Sequence, residues 1–287
     1  MEKSTAVQHF IAEQRCKLAY QLEVYMKILK SIIGAVLILA GSLSFAQSAE
    51  EIAKKNHDLP DGKTNSFTAV LTLIDKAGKS RAREIVSYEM KEGTTEKNVI
   101  VFKTPKDVAG VSYLSFDYPD KSDGTASESD SWLYLPAMKK VRRVSGSNKD
   151  DDFQGTDFTY DDLGKRSLAK DTVQLLGEES VNGVDCWIVE YKAKDAKAKI
   201  SRRILWIGKD NYVTYKTEYY DRKNALQKEM VCEDISQISG YWTTKKMTMT
   251  NVQTKHKTVY EITDIVYDND VDPKMFTVSA LERELVK

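Results

Sequence analysis

The chain has no surplus charge of either sign: its 287 residues set 43 Lys and Arg against 43 Asp and Glu. No electrostatic excess therefore directs it to nucleic acid or to an anionic membrane surface. Proline and glycine are sparse, at 5 and 14 residues, which excludes a collagen-like or low-complexity chain. Histidine is rarer still. Beyond the amino-terminal region there are His57 and His256, both in polar surroundings, and no Gly-x-Ser-x-Gly elbow occurs, so a serine triad or a histidine-rich zinc centre has little footing. The expectation is a binding protein without a cofactor rather than an enzyme. Cysteine is also scarce: after Cys16 come Cys186 and Cys232, each inside a strand-like run. A domain of this size buries a core without a covalent staple, so the two thiols either pair in an oxidising compartment or stay buried and free.

A membrane-spanning run is missing too. The apolar stretch at 32–39 is too short for the ~20 residues that cross a bilayer. It follows a basic start, Met26-Lys27-Ile28-Leu29-Lys30, and precedes Ser44-Phe45-Ala46, the small-x-small pattern of a signal-peptidase site, so it reads as a cleaved secretory signal. No cysteine follows it that would make a lipoprotein signal. Residues 1–25 lie upstream of a methionine that opens a complete signal by itself and read as an extension from a mis-assigned start. The expected organisation is an upstream extension over 1–25, a signal over 26–46, and one domain over 47–287 whose mature end is Gln47.

What is present is strand grammar. Residues 49–57 have helical composition, with Ile52 and Ala53 as the apolar face, and end before Leu59-Pro60-Asp61-Gly62. From Ser66 the period becomes two, with Phe67, Ala69, Leu71 and Leu73 on one side, and Asp75-Lys76-Ala77-Gly78 turns the chain. The form repeats at 83–90, 98–103 and 111–117, and again at 173–176, 186–192, 203–207, 212–220, 229–238, 242–251 and 258–267. About a dozen strands with a helix at each end and a helical turn near 160–166 cannot make a doubly wound parallel sheet, which needs a helix between strands. The predicted class is α+β: a large curled antiparallel sheet, an open half-barrel, with a few helices over its concave face.

The stretch 130–164 is the most informative. Trp132-Leu133-Tyr134-Leu135 is a β-run ended by Pro136, and 141–144 gives a second strand carrying Arg142 and Arg143. The two arginines point to opposite faces, so at most one turns inward to meet a phosphate or carboxylate. Residues 145–152 are small and acidic, and Phe153, Phe158 and Tyr160 surround Gly155, which predicts a lid or mouth. Trp132, Tyr134, Arg142, Arg143, Phe153, Phe158 and Tyr160 are the candidate ligand contacts, with core packing as the competing role for Trp132 and Tyr134 and a solvated edge charge for Arg142 and Arg143. Within this stretch Asp150, Asp152, Gln154, Gly155, Thr156 and Asp161 approximate the spacing of a calcium loop, with departures at Gln154 and Asp161. The alternative roles for these residues are a solvated lid and, for Asp157, Asp161 and Asp162, capping of a short helix that starts near Phe158.

Asp130-Ser131-Trp132-Leu133-Tyr134-Leu135-Pro136, then Arg142-Arg143, then Phe153-x-Gly155-Thr156-Asp157-Phe158-Thr159-Tyr160-Asp161-Asp162-Leu163, together resemble the signature of the outer-membrane lipoprotein-sorting family, the LolA-like group. Gly183-x-x-Cys186-Trp187, Gly240-Tyr241-Trp242 and Asp272-Pro273-x-x-Phe276 are similar to its carboxyl half. The resemblance implies a monomeric periplasmic protein whose half-barrel, plugged by helices, holds acyl chains of a lipid or lipoprotein, with an inner-membrane transporter as donor partner. Two other functions stay open: a sensor of envelope lipid or lipoprotein, and a metal-assisted lipid hydrolase built on the acidic loop.

Overall fold

The period-two pattern becomes one very large sheet. A computed structural model describes residues 47–283, and the signal and upstream extension expected over 1–46 lie outside them. Among the described residues the strands are β1 (Thr64–Ile74), β2 (Ser80–Glu92), β3 (Thr95–Thr104), β4 (Ser112–Asp117), β5 (Asp130–Leu135), β6 (Lys140–Val144), β7 (Asp171–Val181), β8 (Val184–Ala193), β9 (Ile200–Gly208), β10 (Thr214–Asp221), β11 (Leu226–Ile238), β12 (Tyr241–Asn251) and β13 (His256–Tyr267). They form a 13-stranded sheet in the order β6-β5-β4-β3-β2-β1-β13-β12-β11-β10-β9-β8-β7. Every neighbouring pair is antiparallel. The edges β6 and β7 do not meet, so the sheet is open.

Helix α1 (Ala49–His57) forms as the sequence predicts. Ser48 caps it by accepting the Glu51 N–H at 3.1 Å, and Ala49, Ile52 and Ala53 are its buried stripe. Helix α2 (Val278–Glu282) is capped by Thr277, whose hydroxyl accepts the Ala280 N–H. Between β6 and β7 runs an irregular segment, 145–170, made of short 3-10 turns at Gly146–Asp150, Phe153–Gly155, Asp161–Leu163 and Leu168–Lys170.

That segment shows how far the sheet curls. Seven strands separate β4 from β9 in the sheet order, which at the usual strand spacing is roughly 38 Å if the sheet is flat. Yet the Lys165 N–H donates to Asp117 Oδ2 in β4 at 3.2 Å, and Asp161 Oδ2 lies 3.8 Å from Arg203 Nη2 in β9. Four residues of chain span at most about 14 Å. The sheet therefore wraps around the segment, which acts as a plug on the inner face.

Register fixes which residues share that face. Thr217 opposes Leu205 and Met230, Met230 opposes Met249, and Met249 opposes Thr258. The inner core joins Ala69, Leu71, Leu73, Ile85, Ile100, Phe102, Tyr113 and Leu133 to Phe153, Phe158 and Tyr160 of the plug. Helix α1 covers the same face farther along, against Val189, Tyr191 and Ile207. Helix α2 lies on the opposite face, where Ala280 and Leu281 pack with Val99, Val101, Leu114 and Tyr134. The expected helical cover of the concave face is thus one helix and an irregular plug, because the sequence between β6 and β7 is too rich in Gly, Ser and Asp to hold a helix.

Candidate functional site

The plug is tied down by polar bonds at well-separated points. Asp157, which is buried, accepts from the Thr258 hydroxyl at 2.7 Å, lies 2.6 Å from His256 Nδ1, and donates its N–H to Thr258 at 3.0 Å. Lys228, 4% exposed, donates to the Asp157 carbonyl at 2.6 Å and pairs with Asp152 at 3.2 Å. Arg83 donates to the Gln154 carbonyl, and Lys149 to the backbone and hydroxyl of Ser129. Arg166 forks onto Asp171 at 2.7 and 2.9 Å and also reaches Asp161 at 2.9 Å. Arg166 and Arg203 together hold the Asp161 carboxyl below the usual carboxylate range against the desolvation that raises it. A Cβ at Gly164 would stand 2.8 Å from Asp117 Oδ2, so a larger residue there has to displace that carboxylate.

Between these anchors the inner face is not filled. One lobe of about 350 Å3 is lined by Phe67, Ile100, Phe158, Leu163, Met230, Met247, Tyr260, Ile262 and Ile265, with Asp61, Asn65, Glu89 and Asn98 at one end. A second, of about 340 Å3, shares those four polar residues and adds Lys91, Glu96, Asp117 and Lys165. A third, of about 340 Å3, lies toward α1 and is lined by Asn56, Asp161, Arg203, Leu205 and Tyr219. Asp162, Leu163, Gly164 and Lys165 border two or more lobes, so all three surround this part of the plug. The volumes fall in the range of small-molecule clefts, and an apolar wall with a few convergent polar groups is the usual make-up of such a site. Trp242 stands at the rim of the first two lobes, 37% exposed.

The residues singled out in the sequence do not gather at one mouth. Phe153, Phe158 and Tyr160 are on the inner face and buried, at 1%, 5% and 6% exposure. Phe153 packs tilted or edge-on among Phe102, Tyr113 and Tyr160 at 5.4 to 5.7 Å. They are the foot of the plug and part of the core, not a loose lid, because three large aromatics around Gly155 fold down onto the apolar sheet. Phe158 lines the apolar lobe and meets Tyr260 edge-on at 5.9 Å. Trp132 and Tyr134 project from the other face, in the cluster under α2, with Trp132 edge-on to Phe116 at 5.2 Å. Arg142 and Arg143 are exposed, and Arg143 pairs with Asp130.

The acidic loop disperses its carboxylates. Asp152 turns to Lys228 and Asp161 to Arg166, so the spacing that approximates a calcium loop serves plug docking. Among the described residues no group of three or more His, Cys, Asp or Glu could hold a metal ion. Capping is also reassigned: Asp162 accepts from the backbone and hydroxyl of Thr159, whereas Asp157 serves β13. Cys186 and Cys232 are free and buried. Two strands lie between theirs, and they sit in opposite faces, Cys186 with Ile204 and Trp206 and Cys232 opposite Met247. Burial pushes their thiols up to about 11 and about 12, which makes both poor nucleophiles.

The wall of the cavity went unread in the sequence. Phe67 was legible from alternation, but Met230, Met247, Tyr260 and Ile262 lie on β11, β12 and β13, and the pairing register that sets them beside β1 is not a local pattern. Asn65 carried a faint signal, a polar residue in the phase that Phe67, Ala69, Leu71 and Leu73 continue along β1, whereas Glu89 gave none, since the same phase of β2 also holds Arg83 and Ser87.

A family model described as "Uncharacterized protein" matches residues 94–283. No curated protein matches the chain. Among solved structures, a DUF1329 family protein from Desulfovibrio piger is 30% identical, with 81% of this chain and 97% of that one covered and a TM-score of 0.75. A structure described as an outer membrane lipoprotein-sorting protein domain from Vibrio parahaemolyticus is also 30% identical, covering 82% and 98%, with a TM-score of 0.75. A LolA superfamily protein from Nitrosomonas europaea shares the fold at 17% identity, covering 82% and 99%, with a TM-score of 0.63. The LolA-like resemblance read from 130–163 is therefore shown.

Proposed function

We infer that this chain, which belongs to the DUF1329 family, is a carrier that holds acyl chains of a lipid or lipoprotein inside its half-barrel and takes them across the periplasm toward the outer membrane. One observation carries the reading: the apolar lobe walled by Phe67, Ile100, Met230, Met247, Tyr260 and Ile262, left open under a plug that is docked by polar bonds. Each methylene moved from water into such a wall contributes about 0.8 kcal/mol, so a chain of a dozen or more buried carbons gains on the order of 10 kcal/mol to set against the cost of association. Methionine supports the role, since its unbranched thioether adapts to chains of differing shape. The fold shared with the Vibrio parahaemolyticus sorting domain agrees with this reading. The signal over 26–46, a single lipid-binding domain from 47, a monomeric state and an inner-membrane transporter as donor belong to the same proposal.

The test is purification from a periplasmic extract followed by mass spectrometry of what co-purifies. Stoichiometric acylated lipid or acylated protein is the expected result. A protein that emerges without lipid, and takes up none when offered it, contradicts the carrier role, and release of free fatty acid from an offered ester would point to a hydrolase instead.

A further inference from the structure

The polar end of the apolar lobe pairs its charges unevenly, although four lysines, Lys63, Lys91, Lys97 and Lys165, line the same space as four carboxylates. Asp61, Glu89, Glu96 and Asp117 all border the space there. Two of them are answered: Asp61 pairs with Lys91, and Glu96 with Lys165 at 2.9 Å and Lys91 at 3.7 Å. Glu89 and Asp117 have no ion pair among the described residues. Glu89 instead accepts the Asn65 amide N–H at 2.8 Å, and Asp117 accepts the backbone of Lys165. Asn65 is 5% exposed and borders both lobes, and its own carbonyl oxygen Oδ1 has no hydrogen-bond partner. A buried acceptor left open beside an unpaired carboxylate is costly unless something donates to both. The apolar wall starts at the same place, with Phe67 two residues along β1 from Asn65 and Ile100 two along β3 from Asn98.

We propose that Asn65 and Glu89 form a head-group site for a primary ammonium, and that the cargo held along the apolar wall is an amphiphile with an amine head. This rests on the carrier reading above and specifies its ligand. A protonated amine offers three N–H donors and one positive charge, which matches an unpaired carboxylate and an unsatisfied amide oxygen, whereas a carboxylate or phosphate head would meet Glu89 and Asp117 with like charge. Burial already holds Glu89 above the usual carboxylate range, with Asp61 and Glu96 adding to the shift while the Asn65 bond and Lys91 oppose it. A bound ammonium would bring it back down. Tyr260 and Tyr267 also face Glu89, and its charge contributes to raising both.

The experiment is displacement of an apolar fluorescent probe from the intact domain by three single-chain amphiphiles of equal length, a primary amine, an alcohol and a fatty acid. Wild type should prefer the amine over the alcohol by roughly tenfold or more, the range for a hydrogen bond to a charged group, and should bind the acid most weakly. Glu89→Gln should erase the preference for the amine over the alcohol. In wild type the preference should also fade as pH is lowered through the raised range of the Glu89 carboxyl and it takes up a proton, a readout that stands even if Glu89→Gln fails to fold. A diacyl lipid with an ethanolamine head, set against the same lipid with a glycerol head, then assigns the amine to a phospholipid or, if only the single-chain amine is preferred, to a simple alkyl base. Equal affinity for amine and alcohol, a preference for the acid, or an amine preference that survives in Glu89→Gln overturns the head-group site alone. Binding of none of the three overturns the carrier reading with it.

Discussion

The two covers of the sheet differ in how they are attached. On the outer face Phe276, Ala280 and Leu281 are 1 to 2% exposed and rest on Val99 and Leu114, both at 0%. That cover is held by contact. On the inner face the plug is pinned at its aromatic foot and at polar anchors on β4, β9, β11 and β13, and the span between them arches over open space. A helix that seals a face leaves nothing to fill, while a segment held at separated points leaves a cavity whose walls are still apolar. Function is therefore read from the second cover and stability from both.

Replacing the anchors on each side breaks this comparison most forcefully. Phe276→Ala and Phe153→Ala should each cost about 3–5 kcal/mol, as for a fully buried aromatic, measured by thermal or urea unfolding. Phe153→Ala alone should alter probe binding, so an equal effect on binding from Phe276→Ala would show that the outer cover also shapes the cavity. Next in size, Asp157→Asn weakens the acceptor shared by His256 and Thr258 and should cost about 1–3 kcal/mol, with amide hydrogen exchange rising within 151–166 but not in α2. Unchanged exchange there would mean that the plug does not depend on its polar anchor.

A smaller effect concerns Glu89, whose carboxyl is raised in the folded state. Protonated Glu89 fits its site better than the ionised form, so its stabilising contribution is fully present below the unfolded carboxylate range and is lost as pH rises through the folded value. Glu89→Gln should accordingly flatten the fall in unfolding temperature across that window, and a wild-type and variant pair with parallel pH profiles would contradict the burial. Smallest of all, Arg143→Ala removes an exposed pair with Asp130 and should change stability by less than about 0.5 kcal/mol. A larger loss would give that edge of the sheet a role it lacks in this account.

How far the sequence carried these conclusions depended on range. Helix α1 was legible to the residue because its cap, acidic first turn and apolar stripe are local. Strands were legible from alternation, although their ends ran longer than the apolar cores, as at β7 and β11, where polar residues continue the pairing. The plug was visible as a block of aromatics and acids, but its state was misread. Whether Phe153 is a lid or a core residue depends on Phe102, Tyr113 and Tyr160 surrounding it, and that is set by sheet curl, which no local pattern encodes. Trp132 and Tyr134 were assigned to one face correctly, yet alternation cannot say which face is the inner one.

The most direct test compares one substitution on each side. Met247→Trp places bulk in the apolar lobe, and Trp132→Ala removes bulk from the outer face. Binding of a neutral apolar fluorescent probe, followed at several protein concentrations alongside thermal melting, should weaken roughly tenfold or more in Met247→Trp and stay at the wild-type level in Trp132→Ala once the folded fraction is taken into account. Normal binding in Met247→Trp together with loss in Trp132→Ala would place the ligand on the wrong face for this account, and a wild-type protein that binds no apolar probe would contradict it outright.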